Sequence, residues 1–364
     1  MPRANAYLDH PDDPDPRYPL HVRVCDHCLL VQADATVAPE DLFSEYAFFS
    51  SMSPPWLAHC RQYVNLVTRR FALEADSQVI EVASNDGCLL ERFHGPKVLG
   101  VDPAQNIAAQ AKVETIPEFF TEALAKTLPP ADLLIANNVL GHVPDLNDFV
   151  AGLARCLKDD GVLTIEVPWL GNLIAECQFD TIYHEHFSYF SLLALEGLLS
   201  RHELRIFDIT HLPIHGGSLR VFAARDRQPW ESVGMRRAEE WELGMADADG
   251  DCYQTFAARV GCHLWGLRRF LESAQGLVVG AGAPAKGNTL LNAVRATQGD
   301  LAYVTDTSPH KQGRYLPGSH IPIVPPELIG DPDTVLVLAW NWFNDVRRSF
   351  PDLDAVFVHP LKLA

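Results

Sequence analysis

The chain has no surplus of basic residues: 29 Lys and Arg stand against 47 Asp and Glu, for a formal net charge of −18. A general nucleic-acid surface needs the opposite sign, so no nucleic-acid partner is expected, and solubility is the plain reading of the acidity. No apolar run is long enough to cross a bilayer, so no membrane partner is expected either. The polar, Pro/Asp-rich start has no signal-peptide pattern. The eight cysteines are scattered without the spacing of a disulfide framework, which fits a cytoplasmic protein. There is no internal repeat and no long low-complexity tract. A chain of 364 residues exceeds one ordinary core, so two domains and a small module are expected.

Familiar motifs are also incomplete. Leu20–Leu30 reads as a strand running into Cys25-x-x-Cys28, half of a zinc-ribbon signature. The second pair is missing. His10, His21, His27 or Cys60 could complete a zinc site, but nothing in the spacing requires it. A vestigial or truncated knuckle, or a chain start downstream of the natural one, is the expectation for this module, residues 1–55. Met1–Arg17, with its run of Asp and Pro, reads as flexible. Phe43–Ser53 is aromatic and hydroxyl-rich; it is read either as a ligand cover, with Tyr46 as a contact, or as simple packing.

What is present is an α/β pattern. Over residues 56–226, Trp56–Phe71 has helical spacing and Gln78–Val82 is a short buried strand. The turn Glu81-Val-Ala-Ser-Asn-Asp-Gly87 and a helix-like Cys88–Phe93 follow. This opens a Rossmann-like unit, although a full Gly-x-Gly-x-x-Gly is absent. Lys97–Val101 is the second strand. It ends in Asp102, placed either to accept ribose hydroxyls or to cap the next helix. Asp132–His142 is a further strand, delivering Asn137, Asn138 and His142 at its carboxyl end, where open α/β sheets bind ligands. Asp148–Leu157 reads as a helix and Gly161–Val167 as a strand. Leu204–Ile209 and Ser218–Ala223 look like a closing antiparallel pair. This order of elements is the class I S-adenosylmethionine (SAM) methyltransferase pattern.

Thr181–Ser191 sets Tyr183, His184, Glu185 and His186 in direct succession. Imidazole titrates near neutral pH, and a neighbouring carboxylate or phenol orients or tunes it. Three readings stand on these residues alone: a general base with its supporting groups, a His-x-His metal site, and a polar turn with ordinary hydrogen bonds.

Residues 227–364 form a second α/β region. Glu231–Ala274 is polar and helix-prone. Leu277–Leu291 then reads as strand, glycine turn and helix, whose free amides and positive dipole end suit a phosphate. Lys286 and Asn288 lie in it, although the Walker spacing is absent. Tyr303–Asp306 and Thr334–Trp340 read as later strands. Between them Ser308–Pro322 is a long irregular loop bearing Lys311 and Arg314. Local cations near a glycine loop in an acidic chain suggest a small phosphorylated ligand.

Four stretches carry a specific resemblance: Glu81–Gly87, Asn137–Val143, Tyr183–Ser191 and Pro213–Arg220. Together they resemble the sugar C-methyltransferases of deoxysugar and antibiotic biosynthesis, from about Leu20 to the C-terminus. The resemblance implies an N-terminal zinc module, a SAM-binding methyltransferase domain and a C-terminal Rossmann-like domain that helps to hold a nucleotide-diphosphate ketosugar, here expected to be a thymidine-diphosphate 4-keto-deoxysugar. It implies that His186 is the base, with Tyr183 and Glu185 shaping the site and His142 and Asn138 facing the same pocket. Ala83, Ser84, Asn85, Gly87 and Asn137 would then line SAM, Asp102 would hold its ribose, and Phe119 and Phe120 would flank adenine or, as a Phe pair, pack in the core. Tyr46, Lys286, Asn288, Lys311 and Arg314 are the expected substrate contacts. Two departures are evident: one Cys pair only, and Ala83 where a glycine is common. Methylation of another ketone, enol or hydroxyl, and SAM or nucleotide binding without catalysis, stay open as alternatives.

Overall fold

The computed structural model describes residues 1–34, 37–44, 49–225, 227–246 and 251–363. Strands β1 (Val22–Val24) and β2 (Val31–Ala33) form an antiparallel hairpin whose turn carries Cys25 and Cys28. The helix Pro54–Arg70 follows. The Ser53 hydroxyl caps it by accepting the Trp56 amide, and prolines occupy its first turn, where an amide has no intrahelical partner. His59, Cys60, Tyr63, Val64 and Val67 recur at helical spacing and form its buried face.

Strands β3 (Gln78–Val82), β4 (Lys97–Val101), β5 (Thr115–Ile116), β6 (Ala131–Asn137) and β7 (Leu157–Pro168) are parallel. Their near-continuous apolar runs suit a sheet covered on both faces. A short strand, β8 (Ser188–Tyr189), leaves this sheet and pairs antiparallel with β2. Then β9 (Arg205–Leu212) and β10 (Ser218–Ala224) close the sheet antiparallel, with β10 inserted between β7 and β9. The resulting order is β5-β4-β3-β6-β7-β10-β9. The chain turns one way from β3 to β4 and the other way to β6, so a crevice opens at the carboxyl ends of these strands.

Helices Glu231–Glu242 and Asp251–Ser273 lead to a second sheet. Its strands are β11 (Val278–Ala281), β12 (Val304–Thr305), β13 (Ile323–Val324), β14 (Thr334–Val337) and β15 (Val356–Val358). All are parallel, in the order β13-β12-β11-β14-β15. The helix Ala285–Ala293 follows β11 and packs on the turn Phe179–Thr181, just before the Tyr-His-Glu-His stretch.

Three local expectations are corrected. Cys88–Phe93 forms only one 3-10 turn, Leu90–Arg92, because Gly95 and Pro96 end the segment before a helix can propagate. The strand expected to reach Trp340 stops at Val337, where the amides of Leu338 and Ala339 fold back onto the Ala281 carbonyl. Met1–Arg17 is an ordered strap. Ala4, Tyr7 and Leu8 are buried, and Leu8 exchanges backbone hydrogen bonds with Tyr315. A few apolar residues inside a Pro/Asp-rich stretch are enough to pin it.

Candidate active site

The crevice is built from backbone that few residues tolerate. Ala83 (φ 57°), Asn85 (φ 52°) and Gly87 (φ 75°) all lie in the left-handed region. A Cβ on Gly87 would also stand 2.7 Å from Val113 Cγ2, so glycine is required there on two counts. Ala83 adopts the conformation that a glycine would hold more easily, at a cost of about 1–2 kcal/mol. Asp102 accepts the amides of Asn85 at 2.8 Å and Ala104 at 2.9 Å. It therefore both fastens the turn and caps the next segment, and each oxygen keeps a second lone pair. Asn85 and Asp86 in turn accept the amides of Ser50 and Ser51, laying residues 49–52 across the turn. Tyr46 lies outside the described residues.

Glu81 Oε2, Ser84 Oγ and both amide atoms of Asn137 and Asn138 are buried with no hydrogen-bond partner among the described residues. Each such group costs about 1–3 kcal/mol. Gathered at one sheet edge, they mark a site for a polar ligand. Burial, and then Cys88, Asp102, Asp86 and Glu166, push the Glu81 carboxyl well above the usual carboxylate range, which a bound cation would reverse. This donor and acceptor set fits the ammonium, carboxylate and ribose of SAM. Phe119 is 38% exposed. Phe120 is turned into the core, edge-on to Phe149 with ring centroids 5.3 Å apart, so the structure does not bring the two rings together.

Beside this crevice lies the acid-base loop. His186 Nδ1 is 2.7 Å from the Thr181 carbonyl oxygen, and His142 Nδ1 is 2.8 Å from the Glu185 carbonyl oxygen. A carbonyl only accepts, so each Nδ1 carries the proton and each Nε2 keeps a lone pair. The two imidazoles are 4.9 Å apart, and the Tyr183 ring lies 4.0 Å from His186. Burial, and then the neighbouring His142, hold the His186 pKa well below the ordinary imidazole value; burial also lowers that of His142. Both residues keep some accessible surface. His184 turns away, its Nε2 donating to the Pro19 carbonyl at 3.1 Å.

The fold adds buried groups beside this loop to which the sequence assigned no role, and places Lys286 among them. Glu166 is fully buried, with His59 Nε2 at 2.8 Å and Arg220 Nε donating at 2.6 Å. Burial works against its charge, but His59 and Arg220 hold its pKa below the usual value. His215 (φ 54°) stands beside Trp56, ring centroids 5.7 Å apart, and burial brings its pKa down to about 4. Lys286 reaches this region, its Nζ 4.5 Å from the centre of the Trp340 ring. The Trp340 indole donates to Asp180 at 2.6 Å, and burial raises that carboxyl to about 6.

The other expected substrate contacts have partners of their own. Asn288 donates to the Ala4 carbonyl at 3.2 Å. Lys311 donates to the Ala283 carbonyl at 2.9 Å, and Arg314 to Asp9 at 2.6 Å. All three groups fasten the N-terminal strap or the glycine turn beneath it. Burial and then His142 lower the His186 pKa most, against the Thr181 carbonyl, which raises it; Lys286 adds a small lowering contribution.

The strand order, the antiparallel closure and the polar crevice define a class I SAM-dependent methyltransferase. Residues 57–208 match a family model described as "Methyltransferase domain", and residues 213–360 one described as "C-methyltransferase C-terminal domain". The chain is 37% identical over 382 residues to C-methyltransferase NovU of Streptomyces niveus, covering 99% of this chain and 90% of that protein. The chain belongs to this family and is a SAM-dependent C-methyltransferase. A more distant relative is the ubiquinone biosynthesis O-methyltransferase of Bartonella quintana, 26% identical, with 45% of this chain and 77% of that protein covered. Among solved structures, magnesium protoporphyrin IX methyltransferase from Synechocystis with bound SAM covers 47% of this chain and 82% of its own, at 15% identity and a TM-score of 0.36.

Residues 1–43 match a model described as "Putative zinc binding domain". Among the described residues, however, no group of three or more histidines, cysteines or carboxylates surrounds Cys25 and Cys28. These residues do not make a complete zinc site, and no chemical step is assigned to zinc. Among the described residues no helix is long and apolar enough to cross a membrane.

Proposed function

We propose that the acceptor is the carbon next to the ketone of a nucleoside-diphosphate 4-keto-deoxysugar, thymidine diphosphate being the nucleotide, and that His186 is the base. The observation that carries this reading is the His186 tautomer: Nδ1–H is committed to the Thr181 carbonyl, and the depressed pKa leaves Nε2 an unprotonated acceptor at neutral pH. SAM supplies an electrophilic methyl group on a sulfonium. His186 Nε2 takes the proton from the carbon, and the C–H electron pair moves onto the ketone oxygen as an enolate. The enolate carbon then bonds the methyl as the S–C bond breaks, and His186 returns its proton to solvent. The buried, unpartnered Asn138 amide and Lys286 supply a donor and a positive charge for the enolate oxygen or the diphosphate. Tyr183 fixes the face of His186 by stacking. Ala83, Ser84, Asn85, Gly87 and Asn137 line the methionine end of SAM, Asp102 takes its ribose, and Phe119 lies at its adenine. In this reading residues 1–55, 56–226 and 227–364 act as cover, methyltransferase domain and nucleotide-holding domain.

The test is incubation with SAM and a thymidine-diphosphate 4-keto-deoxysugar in deuterated water, followed by mass and NMR. Deuterium at the carbon next to the ketone, and then a methyl on that carbon, is the expected result. SAM binding with neither signal overturns the substrate assignment and moves it to another ketone or enol.

A further inference from the structure

The N-terminal strap crosses from the second sheet to the acid-base loop, and one of its side chains grips that loop. Asn5 Nδ2 lies 2.8 Å from both Oε1 and Oε2 of Glu185, across 180 positions of sequence. A carboxylate only accepts, so the amide nitrogen, not its oxygen, must face it. The Tyr7 hydroxyl donates to the Ala283 carbonyl at 2.7 Å in the glycine turn after β11, and lies 3.2 Å from Asn5 Oδ1, with its one proton shared at most between these two acceptors. Lys311 donates to that same carbonyl at 2.9 Å and lies over the Tyr7 ring. The Asn288 amide holds the neighbouring Ala4 carbonyl.

Glu185 sits where a small displacement matters. Its carbonyl oxygen orients His142, and it directly precedes His186. A clamp on its carboxylate therefore fixes the backbone that sets both imidazoles. We infer that Asn5 is a positioning residue for C-methylation, acting through Glu185, and that the strap joins the glycine turn of the second sheet to the acid-base loop. The inference rests on the reading of that loop as the reacting site. It also gives the strap a role in supporting the site.

The first measurement needs no acceptor substrate. In the full chain labelled with δ-13C-glutamate, the Glu185 carboxyl resonance is assigned by its loss in Glu185→Gln and titrated by NMR. Hydrogen bonds to the ionised form lower a carboxyl pKa, so Asn5→Ala should raise that of Glu185 by about one unit. Asn5→Asp, nearly isosteric, should raise it further through like-charge repulsion. The second measurement is methyl transfer to the thymidine-diphosphate 4-keto-deoxysugar. Asn5→Ala should lower kcat about 10–100-fold, with SAM affinity unchanged, and should add nothing in the Glu185→Gln background. A Glu185 pKa that does not move, or an Asn5→Ala loss that multiplies that of Glu185→Gln, overturns the inference. If Glu185→Gln is itself silent in transfer while the pKa does move, the reading of the loop fails, and the inference built on it fails for that separate reason.

Discussion

At the scale of single residues, the proposed chemistry turns on which nitrogen holds a proton. Thr181 presents a carbonyl to His186, and Glu185 presents one to His142. Each imidazole is thereby locked with its second nitrogen basic. Burial, assisted by the neighbouring ring, keeps His186 neutral below the pH at which a free histidine would protonate. The acid limb of kcat/KM should therefore lie below pH ~6.5, the ordinary imidazole value. A pH–rate profile with the acid limb at or above that value would show that another group limits the rate. Candidate residues stood out in the sequence only where residue type and density were unusual. Tyr183, His184, Glu185 and His186 in succession advertised themselves, although their sequence alone could not say that His184 turns away. His59, Glu166 and Arg220 occupy ordinary helix and strand positions in the sequence, and nothing but the fold brings them together.

At the scale of elements, that triad stitches the helix Pro54–Arg70 to β7 and β10. Glu166 has no exposed surface, and both its partners are nearly as buried. Glu166→Ala would leave the Arg220 guanidinium in the core without its counter-charge, at a cost of about 3–5 kcal/mol. Urea unfolding monitored by circular dichroism measures this, and a loss below about 1 kcal/mol would contradict it. Strands β3 and β4 were legible to the residue, because Gln78–Val82 and Lys97–Val101 are short, β-branched apolar runs bounded by turn residues. Cys88–Phe93 was not. Its apolar residues look helical, yet the short segment between Gly87 and Gly95 leaves too little chain for more than one turn. Phe119 and Phe120 could not be told apart in the sequence for a related reason: adjacent aromatic residues suit a core or a ligand equally, and only the fold shows Phe120 buried against Phe149 and Phe119 partly exposed.

At the scale of the whole molecule, the site is assembled from segments far apart in the chain. The strap from residues 1–17, the hairpin strand β2 pairing with β8, and the helix Ala285–Ala293 all converge on the Tyr183–His186 loop. Such contacts leave no local pattern, and so the strap read as flexible. This assembly has a pH signature. Burial lowers the pKa of His142, His186 and His215, the last to about 4. In the unfolded chain these imidazoles protonate below about 6.5, while the folded ones do not. The unfolded state then binds more protons, so stability should fall as pH drops from about 6.5 towards about 4, and be fully present above that range. Thermal melts across pH 4–8 check this; a melting temperature that rises on acidification would contradict it. If His186 removes the proton that lets carbon accept the methyl group, His186→Asn, assayed for methyl transfer and, by calorimetry, for SAM binding, should abolish transfer while SAM affinity is preserved. Transfer that survives the substitution would contradict that role.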